Sequence, residues 1–164
     1  MNSLKDKVAG STDATYVILG ATGNTGSIIA DSLLSKGKKV RVVGRDAERL
    51  QRFVRKGAEA FTGDVSDAAA LIKAFRGARA AYLMLPPAKS REDQERDSDA
   101  IATAVKESGL RYAVHLSSYG AHVPEGTGPV AGLHSSEQKL NAITWRGVPA
   151  SACHRCAPPC ELPA

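Results

Sequence analysis

Three glycines set between a short apolar run and an apolar periodic stretch constrain this chain more than any other feature. Tyr16-Val17-Ile18-Leu19 reads as a strand buried on both faces, and Gly20-x-x-Gly23-x-x-Gly26 follows it directly. A periodic stretch then begins at Ile28 and runs as a helix over Asn24–Ser35. In that order each glycine has a task. Gly20 lets the chain turn at positive φ, Gly23 removes a Cβ from the path of an approaching ligand, and Gly26 lets helix and strand pack closely. The first-turn N–H groups of the helix, at the positive end of its dipole, then face outward to receive a diphosphate. An ordinary tight strand–helix turn is the alternative, and the position between strand and helix favours the nucleotide reading.

From Tyr16 to about Thr144 apolar strands alternate with amphipathic helices. Strands are expected at Lys39–Val43, Ala58–Thr62, Ala80–Leu85 and Arg111–Leu116. The helices between them are expected from Asp46 to Lys56, over Ala68–Phe75 and over Glu92–Ser108, with a last one near Leu133–Ile143. Such alternation predicts an α/β fold, a doubly wound parallel sheet of Rossmann-like type with strand order 3-2-1-4-5-6. Ligand then belongs at the carboxyl ends of the strands, between strands 1 and 4. The 164 residues divide into a polar leader at 1–13, one domain at 14–148 and an irregular tail at 149–164, so the sheet is expected to be shortened at its C-terminal end. No run of 18 apolar residues offers a membrane span, and no signal-peptide core is present, so the chain reads as cytoplasmic. The net charge of +5 is spread along the chain and reads as solvated surface rather than a nucleic-acid face.

The end of strand 2 decides which nucleotide fits. A carboxylate there would accept from a ribose 2′-hydroxyl and select NAD, whereas an arginine accommodates the 2′-phosphate of NADP. Here the residue is Arg45, after Arg-Val-Val-Gly, which points to NADP(H) over NAD(H). A surface arginine paired with Asp46 is the plainer account. Asp64, at the end of strand 3, could accept from an adenine amino group or cap the next helix.

With Gly-Ala-Thr-Gly-Asn-Thr-Gly, Val-Gly-Arg and Gly-Asp-Val in order, the chain resembles the atypical short-chain dehydrogenase/reductase group, and within it the NmrA-like family of NAD(P)-binding proteins. Leu116-Ser117-Ser118-Tyr119-Gly120-Ala121 is similar to the end of that family's fifth strand. Gly126-Thr127-Gly128-Pro129 with His134 and Glu137 is similar to its next loop and helix. The resemblance implies that Gly20, Thr22, Gly23, Asn24, Thr25 and Gly26 hold the diphosphate and Arg45 the 2′-phosphate. By the same resemblance Asp64 and Val65 bracket the adenine, Leu85 and Pro86 lie along the nicotinamide ribose, and Ser117 and Ser118 lie near the nicotinamide.

One departure bears on activity. The Tyr-x-x-x-Lys pair of typical short-chain dehydrogenases is absent from the helix after strand 5, where the chain reads His134-Ser-Ser-Glu137-Gln138-Lys139. Alcohol dehydrogenase chemistry on that plan is therefore disfavoured. Hydride transfer to a quinone or similar small electrophile stays open, because it needs no strong enzyme acid. His134 could donate the proton, since an imidazole titrates near working pH, though a helix-entry histidine bonded to backbone is the favoured account. Ser117 and Ser118 could hydrogen-bond a substrate carbonyl or simply end the strand. The alternatives to a reductase are a non-catalytic redox sensor acting through a protein partner and an inactive truncated form; a homodimer is also open.

The tail gathers all three cysteines, Cys153, Cys156 and Cys160, with His154 and four prolines. Thiolates and imidazole are zinc's usual ligands, but nothing here suggests the paired turns of a zinc ribbon, so no metal is expected. An out-of-frame or truncated end fits better: a neighbouring frame over Arg155-Cys156-Ala157-Pro158 can encode Leu-Arg-Pro, which similar proteins carry in their next strand.

Overall fold

The computed structural model describes residues 14–143. Five strands alternate with five helices: β1 (Thr15–Leu19), α1 (Asn24–Ser35), β2 (Lys39–Gly44), α2 (Ala47–Val54), β3 (Glu59–Thr62), α3 (Ala68–Phe75), β4 (Ala78–Met84), α4 (Arg91–Ser108), β5 (Tyr112–Leu116) and α5 (Ala131–Asn141). The strands form one sheet in the order β3-β2-β1-β4-β5, and every neighbouring pair is parallel. This is the doubly wound Rossmann-like arrangement that the alternation predicts, with the reversal between β1 and β4.

Alternation along β1 builds two cores. Ile18 joins Val40, Val42, Leu50, Phe53 and Tyr82 beneath α1 and α2. Val17 and Leu19 point the other way, to Leu71, Phe75, Leu83 and Ile101 of β4, α3 and α4, with Leu140 of α5 at the margin. Central strands buried on both faces are why β1 and β4 read as continuous apolar runs.

Helix starts follow local chemistry. Asp46 accepts from the N–H groups of Glu48 and Arg49, Asp67 accepts from Ala70 N–H, and the Ser90 hydroxyl accepts from Asp93 N–H. Gly109, at φ 72°, closes α4 in the left-handed conformation that glycine adopts without strain. Several boundaries differ from expectation. Helix α2 covers Ala47–Val54, shorter than the Asp46–Lys56 span, because Arg55–Gly57 tighten into a turn. Strand β4 starts at Ala78, two residues earlier than expected, with Arg79 as the extra residue between the Thr15–Ala78 and Tyr16–Ala80 pairs, and ends at Met84. Helix α5 starts at Ala131 rather than near Leu133, and a 3-10 turn at Gly128–Val130 leads into it. The leader and the Cys153–Cys156–Cys160 cluster lie outside the described residues.

Candidate functional site

A cleft of about 430 Å3 opens at the carboxyl ends of the strands. Its floor is the glycine turn, with Gly20, Thr22 and Gly23. One wall comes from the ends of β2 and β3, with Gly44, Arg45, Asp64, Val65 and Ser66. The other comes from Met84, Pro86 and Lys89 after β4 and from Asp93, Arg96 and Asp97 on α4.

The glycine turn is built by close backbone approach. Gly20 sits at φ 64°, and Met84 Sδ occupies the space a side chain would need. A Cβ on Gly26 would run into the Gly20 carbonyl group, with its carbon 2.9 Å away, so helix and turn meet only with glycine there. Gly23 is less forced, since its Cβ would stand 3.3 Å from Gly20 O. Its N–H is already used, donating to Gly20 O at 2.9 Å. The N–H groups offered outward are therefore those of the next residues, Asn24 to Gly26.

Among the helices whose N-termini face the carboxyl ends of the strands around the cleft, those amides distinguish α1; α5, which follows a 3-10 turn, is also without a side-chain cap. Helix α1 has no side-chain cap and no acidic residue in its first turn, whereas α2, α3 and α4 each have a capping side chain. An uncapped N-terminus with its dipole facing a cleft is a site for an anion. Thr25 lies beside the buried Tyr82 hydroxyl, which makes no bond of normal geometry; burial raises its pKa, against a smaller opposing effect of Thr25.

At the β2 end, Arg45 is exposed at the cleft wall and forms no hydrogen bond or ion pair with the described residues. Asp46, its suggested partner, is spent on the N-terminus of α2. Asp64 does not cap α3, a task that falls to Asp67. Instead its carboxylate accepts from Ser66 N–H (2.9 Å) and Ser66 Oγ (2.8 Å), bonds that hold its pKa below the ordinary carboxylate value. Asp64 is thus a fixed, ionised acceptor at the cleft wall.

The residues expected around the nicotinamide are more dispersed. Pro86 lines the cleft, but Leu85 is buried in the core, and Ser117, Ser118 and His134 are not among the cleft-lining residues. Ser117 Oγ donates to the Glu137 carboxylate. His134 Nδ1 bonds to Ala121 O at 2.7 Å, the contact expected of a helix-entry histidine. Ser118 is exposed on the loop after β5, where its carbonyl accepts from Ala121 N–H. Beneath them a buried pair ties β5 to α5: His115 Nε2 and Ser136 Oγ lie 3.3 Å apart, and burial holds the imidazole pKa below its ordinary value.

Sequence reasoning missed Arg96 and Asp97. A signal existed, because Asp97 falls on the same helical stripe as Ala100, Ile101, Ala104 and Val105, all buried. A carboxylate on an apolar stripe is out of place unless something meets it. Among the described residues no group of three or more His, Cys, Asp or Glu is placed to hold a metal, and no helix is long and apolar enough to cross a membrane.

Comparison with known proteins agrees with this geometry. Residues 20–143 match the family described as NAD(P)H-binding. Over 134 residues the chain is 34% identical to a (4-alkanoyl-5-oxo-2,5-dihydrofuran-3-yl)methyl phosphate reductase from Streptomyces griseus, a match covering 81% of this chain and 44% of that protein. The chain therefore spans less than half the length of this relative. In fold it is similar to a triphenylmethane reductase from Citrobacter sp. solved with NADP(H), at TM-score 0.68, 22% identity and coverage of 76% of this chain and 44% of that one. An NADPH-dependent quinone oxidoreductase from Escherichia coli, solved with NADPH, superposes at TM-score 0.66 and 21% identity, over 76% and 44% of the two chains. The chain belongs to the NAD(P)H-binding family, in the atypical short-chain dehydrogenase/reductase group.

Proposed function

We propose that this chain is the cofactor-binding part of an NmrA-like oxidoreductase that holds NADP(H) in preference to NAD(H) and directs hydride to a quinone or similar electrophile. The observation that carries the reading is the uncapped N-terminus of α1 opening on the same cleft as an unpaired Arg45. The first suits a diphosphate, the second a 2′-phosphate. Asn24, Thr25 and Gly26 offer backbone donors, Thr22 and Gly23 line the approach, and Asp64 with Val65 frames the space left for a base. The nicotinamide supplies the hydride; the chain supplies orientation and charge. The Streptomyces relative, a reductase, and the Escherichia coli NADPH-dependent quinone oxidoreductase support the class of reaction.

One observation favours a second reading, a dinucleotide sensor without turnover. Ser117 and His134 are engaged within the fold, by Glu137 and by Ala121 O, rather than presented to the cleft. Stopped-flow NADPH oxidation, with and without a soluble quinone, separates the two. Quinone-dependent oxidation supports the reductase. Nucleotide binding with no oxidation overturns it in favour of the sensor.

A further inference from the structure

The first two turns of α4 carry Asp93, Arg96 and Asp97 to the cleft, on one face of the helix. Asp93 and Arg96 pair with each other at 2.7 Å. Asp97 behaves differently. It is only 7% exposed, it borders the cleft, and it makes no hydrogen bond or ion pair with the described residues. What exposure its carboxyl keeps is toward the cleft, so water or a ligand there completes it.

The charged groups around it are few. Asp64 stands at the end of β3, Arg45 at the end of β2, and Asp93 and Arg96 on its own helix, while Lys89 lines the cleft before α4. Burial raises the Asp97 pKa; Arg96 and Arg45 oppose this, Asp64 and Asp93 add to it, and the balance is upward. Asp64, exposed and bonded to Ser66, moves in the other direction. One cleft thus holds two carboxyls with opposite tendencies, which separates an ionised acceptor from a group able to act as an acid.

The edge of an adenine presents an amino donor beside a ring-nitrogen acceptor. An ionised carboxylate can answer only the amino group. A neutral carboxyl answers both, with an acceptor oxygen and a donating O–H. We propose that Asp97 is a proton-linked anchor for the adenine of the dinucleotide, engaging the base as the neutral acid so that binding takes up one proton from solvent. The inference rests on the dinucleotide reading above. One proton passes from water to the Asp97 carboxylate, and nothing is oxidised or reduced.

Calorimetric titration of the full chain with NADPH, in buffers of different ionisation enthalpy and over a pH series, counts the protons. Asp97→Asn, which keeps an acceptor and a donor, is titrated beside it, so protons taken up by the 2′-phosphate cancel. The wild type should take up more protons than the variant, by a number approaching one. Its affinity should weaken with rising pH more steeply than the variant's, by up to about tenfold per pH unit between the free and bound pKa values. Equal proton counts and parallel pH profiles would overturn the proposal while leaving dinucleotide binding intact. Absence of NADPH binding in the wild type overturns the dinucleotide reading, and the proposal with it. Should the variant fail to fold, NADH, which carries no 2′-phosphate, gives the answer on wild type alone: proton uptake near one supports the anchor, and zero overturns it.

Discussion

The two ends of the sheet are built to different standards. Around β1, β2 and α1 both faces are sealed: Val17 and Val42 are fully buried, and turn and helix touch backbone to backbone at Gly20 and Gly26. At β5 the described residues cover only one face. His115 points into the fold toward Ser136, while Tyr112, Val114 and Leu116, alternating along the strand, are 41%, 47% and 38% exposed. Helix α5 buries Leu140 in the core and is also tied to α4 by polar contacts, with Lys139 bridging Glu95 and Asp99 at 2.6 Å each. Burial alone would lower the Lys139 pKa, but those two carboxylates outweigh it and hold the pKa above its ordinary value. At Gly20 and Gly26 the cofactor end therefore rests on packing, partly against backbone, that leaves no room for a Cβ. The β5 end adds adjustable polar contacts to the packing of Leu140 and Ala113 and, among the described residues, leaves apolar surface open, as expected where a further layer or a second chain can dock.

Matched glycine substitutions give the largest effect. Gly26→Ala sets a Cβ against the Gly20 backbone, which cannot move aside, and should cost about 3 kcal/mol with loss of nucleotide binding. Gly132→Ala on α5 meets only the Gln94 side-chain amide, a flexible end, and should cost about 1 kcal/mol. Urea unfolding of the two variants measures both; equal losses would erase the contrast between the ends. Next in size is self-association. The exposed β5 face should draw the chain into dimers or larger species, and Val114→Lys should reduce this in sedimentation velocity with under about 0.5 kcal/mol change in stability. A wild type that stays monomeric at high concentration would remove the role given to that face.

Acid should act first at the β5 end. His115 is buried with its pKa depressed, so the folded state holds it neutral while the unfolded chain protonates near 6.5. Its contribution is present above that value and is lost as pH falls through the lower folded pKa. The melting temperature should therefore decline below about pH 6.5, and His115→Asn should flatten the decline. Asp97 has the opposite sign. Its folded pKa is raised, so its contribution is present at acid pH and is lost as pH rises through the folded value. Asp97→Asn should accordingly melt slightly higher than wild type at neutral pH, the smallest of these effects.

The contrast also explains what the sequence could reveal. Helices α1 and α3 end where the sequence reading put them, because Lys36-Gly37 and Arg76-Gly77 are local stop signals and both starts follow from neighbouring residues. The glycine turn was legible for the same reason, since its task is performed within seven residues. Helix α5 was read two residues short at its start because Gly132 looks like loop. Only the distant Gln94, packed where a Cβ would stand, explains a glycine inside that helix. Arg96 and Asp97 were hidden because sequence spacing marks a helical face without saying what that face meets. Leu85 follows the same rule: its immediate neighbours Met84 and Pro86 line the cleft, yet the chain turns Leu85 itself into the core.

Calorimetric titration of the chain and of Arg45→Ala with NADPH and with NADH decides whether the cleft reads the 2′-phosphate through Arg45. A phosphate held by the unpaired Arg45 requires wild type to bind NADPH at least about tenfold more tightly than NADH, a difference of about 1.4 kcal/mol that the variant should abolish by weakening NADPH alone. Equal affinity of wild type for the two nucleotides, or an Arg45→Ala variant that keeps the preference, would mean that Arg45 does not hold the 2′-phosphate.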